Sequence, residues 1–321
     1  MKKKPIPPPT AQNVLPPNLD REYFEDAVDN PFRPQASAFE PVNAWWLAEA
    51  ALLAYADEGF ARRQFGRAGL GEVQLFSGAG SQCYLAARGD VVFAVFRGTQ
   101  VPKPGGTTNP VRGLEETVRD FMADVDFQLV ESAPGRLVHK GFKDALDAIW
   151  GDLEPRLQEH ARARRPIWLT GHSLGAALAT LAAARLGAVQ GLYVFGSPLV
   201  GDRAFADAFP VRAFRIVHHR DIVARVPPFG IRPDKKQADY VHVGVLKYID
   251  EDGRLRDEAG GTESLRGLTQ DAIRSAFHLP SPGRLAGLLG LARGPLDDHA
   301  PLYYALRSWN VYVDSRASGT Q

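Results

Sequence analysis

Apolar positions along the chain fall into short, nearly continuous blocks, and each block ends in a turn rich in glycine, proline or acid. Val91-Val-Phe-Ala-Val-Phe96, Ile167-Trp-Leu169 and Leu192-Tyr-Val-Phe195 are of this kind. Runs this short, bounded this way, read as strands buried on both sides. The same reading places strands near 72–77, 81–87, 91–97, 167–171, 191–195, 213–219 and 239–249. Longer segments carry helical spacing: Phe39 to Asp57 with its Trp45-Trp46-Leu47 core, then 141–160, 173–186 and 300–309. Strands that alternate with helices predict an α/β fold, with a mostly parallel central sheet and helices on both faces. Residues 1–38 are proline-rich and polar, expected to form an extended or partly disordered arm ahead of one domain over 39–321. There is no internal repeat.

One junction in this pattern carries chemistry. Residues 167–175 read Ile-Trp-Leu-Thr-Gly-His-Ser-Leu-Gly and run straight into Ala-Ala-Leu-Ala-Thr-Leu-Ala-Ala-Ala. That is a strand, a G-x-S-x-G turn and an alanine-rich helix. Gly171 and Gly175 let strand and helix approach around a sharp turn, which forces Ser173 to the apex above the helix N-terminus. The motif alone is weak, and an ordinary glycine-rich turn is the competing reading; the flanking elements favour a nucleophile elbow.

A serine hydroxyl needs a base, and the base needs an acid to orient it. For this kind of elbow the expected chain order is Ser, then Asp or Glu, then His. Asp221 ends the run Phe214-Arg-Ile-Val-His-His-Arg-Asp221, where a strand should stop at the edge on which α/β sheets build sites. Asp202 and Asp207 are rivals that suit helix capping or solvation better. Among the histidines, His218 and His219 lie too close to Asp221 in sequence, and His242 reads as a packed strand residue. His278 is an alternative in a loop. His299 follows Asp297-Asp298 and opens Ala300-Pro-Leu-Tyr-Tyr-Ala-Leu306, a loop that delivers a histidine to the mouth of a helix.

These stretches, taken together, resemble the class 3 (fungal-type) triacylglycerol lipase family of α/β-hydrolases. Val91 to Thr99 resembles its strand ending in R-G-[ST], and Val138-His-Lys-Gly-Phe142 its H-x-G-F helix entry. Gly171 to Gly175 resembles its elbow, Phe195 to Asp202 the segment after the next strand, Asp221 to Pro227 the acid segment, and Asp298-His299 with Leu302-Tyr303-Tyr304 the histidine segment. The resemblance implies a serine ester hydrolase, with Ser173 as nucleophile, His299 as base, Asp221 as orienting acid, and an oxyanion hole from Leu174 and Thr99. It also implies a lid over 100–119. The chain departs from the pattern at Ala224, where the family has proline, in the long stretch between Thr99 and Asp120, and in the 78 residues separating Asp221 from His299. Within the resemblance, acylglycerols are the expected substrates; a phospholipase A1 and a catalytically silent lipid-binding module are the alternatives.

Bulk properties narrow this little. The net charge is +1, with 45% hydrophobic and 23% charged residues, so charge points to neither nucleic acid nor an acidic membrane. The apolar run at 285–292 is far short of a membrane span. Cys83 is the only cysteine and reads as a buried hydrophobe, so no internal disulfide forms and the chain resembles bacterial members of the family. Lys2-Lys-Lys4 is followed by prolines, which argues against a secretory signal; a cytoplasmic location or leaderless release is expected. Asp120, Asp124 and Asp126 invite a metal, but their apolar neighbours suit a structural segment better. No metal or cofactor is expected, and the expected partner is a lipid or ester substrate at a lipid–water interface. Leu285, Leu288, Leu289 and Leu291 within 277–295 are read as core or as a wall for an acyl chain, with contact to a lipid surface as the alternative. His139 reads as structural, and His172 as pointing away from the nucleophile.

Overall fold

The computed structural model describes residues 1–98, 128–225, 240–257 and 297–319. Its elements in chain order begin with α1 (Ala11–Val14), α2 (Pro41–Leu53), α3 (Glu58–Arg67), β1 (Glu72–Gly78), β2 (Ser81–Arg88) and β3 (Val91–Phe96). Next come β4 (Leu129–Ala133), β5 (Arg136–His139), α4 (Lys140–Arg162), β6 (Ile167–His172), α5 (Leu174–Leu186) and β7 (Gly191–Phe195). They are followed by β8 (Gly201–Asp202), α6 (Arg203–Asp207), β9 (Ala213–His218), β10 (Tyr240–Val241), β11 (Val245–Ile249), β12 (Leu255–Arg256) and α7 (Pro301–Ala317).

The main sheet has the order β1-β2-β3-β6-β7-β9-β11-β12. Its centre, β3-β6-β7-β9-β11, is parallel throughout, and antiparallel strands close both edges. All six residues of β3, all six of β6 and all five of β7 are buried, because helices cover both faces. Alternate strand residues serve opposite layers. Val91, Phe93, Val95, Trp168, Tyr193 and Phe195 pack with α2 and α7. Val92, Ala94, Phe96, Leu169, Leu192 and Val194 pack with α4 and α5. A small antiparallel sheet, β10-β8-β5-β4, lies beside this layer.

α2 is buried almost all round, and α7 over its first three turns. Twelve of the 13 residues of α2 are buried, and Trp45 packs edge-on against Trp309 of α7 with ring centroids 4.8 Å apart. Residues 1–38 run along this pair and are tied to it. Asn310 exchanges two hydrogen bonds with the Lys4 backbone, at 2.8 and 2.9 Å, and Trp309 Nε1 donates to Lys2 O at 2.9 Å. Val14, Tyr23, Phe24 and Phe32 belong to the same buried cluster as α2, and Arg21 forms an ion pair with the fully buried Glu49.

The structure corrects two boundaries and one burial. The single strand expected over 239–249 is two, because Gly244 adopts φ +81° and bends the chain between them. Tyr240–Val241 joins the small sheet and Val245–Ile249 the large one, which leaves His242 between strands, its Nε2 donating to Ala224 O at 2.8 Å. The last helix runs to Ala317 rather than 309, extended by residues such as Val311 and Tyr312 that bury against the core. Asp202, expected on the surface, is buried; it caps α6 through Phe205 N at 2.8 Å and accepts from Leu137 N at 3.2 Å.

His139 caps α4, its Nδ1 accepting from Phe142 N–H at 3.3 Å. Burial pushes this imidazole down to about 4. The folded chain therefore binds fewer protons here than the unfolded chain between the ordinary histidine value and about pH 4. The resulting stability is complete above pH 6.5 and is lost as pH falls through that window, by about 3 kcal/mol at most. Thermal unfolding followed from pH 7 to 4 should show a falling Tm. His139→Asn, which keeps an acceptor but does not titrate, should flatten that fall; an unchanged slope would exclude His139 as its source.

Candidate active site

The turn between β6 and α5 is as tight as its glycines allow. A methyl group on Gly171 would overlap Gly175 O, and one on Gly175 would overlap Phe96 O, so strand, turn and helix touch through backbone alone. Ser173 at the apex has φ +59° and ψ −128°, a conformation that costs a non-glycine residue about 1–3 kcal/mol. Its N–H is held by Phe195 O at 3.0 Å, and among the described residues its Oγ has no hydrogen-bond partner. Ser173 is half-buried at the C-terminal edge of the sheet. The N–H of Leu174, first in its helix, has no intrahelical acceptor and faces the same region as the helix dipole's positive end.

Asp221 and His299, 78 residues apart, are brought together: His299 Nδ1 lies 3.0 Å from Asp221 Oδ1 and 2.9 Å from Oδ2. Asp221 is wholly buried and His299 nearly so. An ionised carboxylate only accepts, so Nδ1 carries a proton, and in the neutral ring the lone pair is on Nε2. Two further donors complete the Asp221 shell, Tyr304 Oη to Oδ2 at 2.6 Å and Val223 N to Oδ1 at 2.8 Å. Burial pushes the Asp221 carboxyl up, but the His299 ring, its hydrogen bond and the Tyr304 hydroxyl outweigh burial and hold it below its ordinary value. Burial and the Asp221 charge together push the Tyr304 hydroxyl well up, which keeps it a donor. Gly196, at φ +55° after β7, leaves the space this pair occupies: a Cβ there would lie 2.6 Å from Asp221 Oδ2 and 2.9 Å from His299 Nδ1.

His172 points away from the apex, as expected, but into a role the sequence did not disclose. Its Nε2 donates to the His299 carbonyl at 2.7 Å, and its Nδ1 accepts from Tyr55 Oη at 2.9 Å. The His172 and His299 rings stack with centroids 4.4 Å apart. Burial, then the neighbouring His299, hold His172 well below its ordinary value, so it stays neutral and in the tautomer these bonds require. Tyr304, Tyr55 and His172 therefore fix Asp221 and His299 from behind. No spacing along the chain disclosed any of these contacts, since His299 lies ahead of the helix that carries Tyr304.

Of the rival candidates, Asp202 caps a helix and Asp207 is an exposed partner of Arg203 at 3.6 Å. His218 and His219 turn to Asp298 rather than offering a ring to Asp221. Cys83 is fully buried, and burial raises its thiol. Thr99, His278, Asp120, Asp124, Asp126, and the segments 100–119 and 277–295 lie outside the described residues. Among the described residues no group of three or more potential ligands is placed to hold a metal ion. No helix among them is long and apolar enough to cross a membrane.

A parallel sheet with helices on both faces, a serine elbow after a central strand, and an Asp–His pair from later segments in Ser-Asp-His order define an α/β-hydrolase. Residues 110–231 match the family model of class 3 lipases. The chain is 32% identical over 164 residues to a lipase of Rhizomucor miehei, and 34% identical over 128 residues to a secreted mono- and diacylglycerol lipase of Fusarium solani. Those matches cover 45% and 36% of this chain, and 40% and 38% of the relatives' own lengths. The crystal structure of a lipase from Rhizopus microsporus var. chinensis superposes with a TM-score of 0.51 at 25% identity, covering 68% of this chain and 77% of that one. Over its central part the chain is thus similar to class 3 lipases.

Replacing Tyr304 by Phe should leave Asp221 short of one donor and the His218 N–H, now 3.0 Å from Tyr304 Oη, without its acceptor. Losses of this kind in a buried site cost about 1–3 kcal/mol. Urea unfolding at pH 7 measures it; a change below about 0.5 kcal/mol would mean that water reaches the pair.

Proposed function

We propose that the protein is a lipase that hydrolyses the ester bonds of acylglycerols through Ser173, His299 and Asp221. The reading is carried by one observation: a strained serine at a strand–helix elbow stands at the sheet edge beside a buried Asp–His pair whose Nδ1–H is turned to the carboxylate, so that the neutral ring has Nε2 as its base. The match of residues 110–231 to class 3 lipases, and relatives named as lipases, support the same chemistry.

In this mechanism Ser173 Oγ attacks the ester carbonyl carbon and His299 Nε2 takes its proton. Asp221 holds the Nδ1–H tautomer and stabilises the imidazolium as it forms. The carbonyl oxygen becomes an oxyanion held by the Leu174 N–H and by Thr99, with the α5 dipole behind it. Collapse breaks the ester C–O bond, and His299 returns the proton to the departing alcohol. Water, activated by the same nitrogen, then attacks the acyl-enzyme and releases the fatty acid. The Ser173 hydroxyl, free of any described hydrogen bond, closes on His299 Nε2 as the substrate binds; in substrate-free sites such bonds are commonly long.

Hydrolysis of p-nitrophenyl esters from acetate to palmitate, alongside emulsified mono-, di- and triacylglycerols, tests this directly. Wild type should turn over long-chain esters, and Ser173→Ala should fall on the order of 10⁶-fold. Release of fatty acid from the sn-1 position of a phospholipid, without acylglycerol cleavage, would reassign the activity to a phospholipase A1. Equal turnover by both proteins would move the nucleophile elsewhere, and none by either would leave a silent lipid-binding module.

A further inference from the structure

The pair His218-His219 is left over once Asp221 and His299 are paired. Both rings turn to the residue next to His299. His218 Nδ1 donates to the Asp298 carbonyl at 3.1 Å. The Asp298 carboxylate, which is mostly buried, takes the Arg220 N–H at 3.2 Å and faces His219 Nδ1 at 3.2 Å, both through Oδ2. The other nitrogen of His219 faces Glu251 Oε2 at 3.5 Å. His219 reaches this position at φ +40°, left-handed backbone that is unusual for a residue with a side chain. Its N–H is tied to Ile249 O at 2.8 Å, and Asp221 N closes the turn on His218 O at 3.0 Å.

The turn 218–221 and the segment 298–299 are thus joined twice, with donors and acceptors reversed. In front, His299 donates to Asp221. Behind, His218, His219 and the Arg220 N–H engage Asp298. Beside this clasp, His172 Nε2 holds the His299 carbonyl at 2.7 Å and the Ala300 N–H closes on Asp297 O at 3.0 Å, while the N-cap of α7, Ala300, has no capping side chain and Pro301 at the first position has no N–H. The direction in which the chain leaves His299 therefore depends on contacts made by its neighbours.

We propose that Asp298 is a positioning residue for His299: its clasp on His218, His219 and the Arg220 N–H sets the backbone from which the His299 ring reaches both Asp221 and Ser173. This rests on the hydrolase reading above. A displacement of about 1 Å at such a base lowers turnover by as much as 100-fold. Asp298→Ala should reduce kcat roughly 10- to 100-fold with KM within about twofold of wild type. Asp298→Asn keeps an acceptor for the Arg220 N–H but loses the charge facing His219, and its kcat should lie more than about twofold below wild type and above that of Asp298→Ala. Active sites are counted with a fluorophosphonate that labels serine nucleophiles, so kcat is per competent site and loss of folded protein is not mistaken for loss of rate. The second readout is amide exchange at Arg220, which should quicken roughly tenfold in Asp298→Ala whether or not the protein turns anything over.

A kcat per labelled site within twofold of wild type in either variant overturns the proposal, as does unchanged exchange at Arg220. Should Asp298→Ala fail to fold, the Asn variant decides alone. If wild type itself shows no Ser173-dependent hydrolysis, the hydrolase reading fails, and Arg220 exchange still reports whether the clasp exists.

Discussion

A carboxylate with no access to water must find all its compensation inside the protein, and Asp221 finds it in three donors, one from its own turn and two from the far end of the chain. Val223 N lies just beyond it, Tyr304 Oη comes from α7, and His299 from the segment that opens α7. Breaking such a set leaves an uncompensated buried charge, far costlier than losing a surface pair. Much of the architecture serves that requirement. α7 has to lie over the end of β9, and its packing against α2 and residues 1–38, through Trp309, Asn310 and Tyr312, holds it there. A segment that reads as a loose proline-rich arm is thus part of what steadies the Asp–His pair.

The elbow obeys the opposite logic. It stores strain instead of relieving it, with Ser173 at φ +59° over a turn whose two glycines leave no room for a side chain. Strain of this size persists only where the surroundings outweigh it. Here β6 is buried on both sides, and nine of the 13 residues of α5 are buried, mostly alanines that let helix and sheet close together. The serine is held up to the site by the packing of the core.

How much was legible in the sequence follows from distance along the chain. The elbow is local, so strand, turn and helix could be read from residues 167–186 and their boundaries hold within a residue or so. Asp221 and His299 were found because each sits at a recognisable junction, a strand end and a helix mouth. What tied them together was invisible. Tyr304, Tyr55 and His172 act through contacts spanning 83, 117 and 127 residues, which no periodicity encodes. The strand over 239–249 was misread for a related reason. Its alternation is the same on either side of Gly244, and only the choice between two sheets reveals the break.

The central claim is that the buried Asp221 prepares His299 to activate Ser173. Labelling by a fluorophosphonate tests it without any assumption about the natural substrate. Peptide mass spectrometry locates the adduct, and the rate is compared between wild type and Asp221→Asn, a change that keeps the shape but disturbs the tautomer. The account predicts an adduct on Ser173 and a rate lower by about 10⁴-fold in the variant. An adduct on another residue, or equal rates in the two proteins, would contradict it.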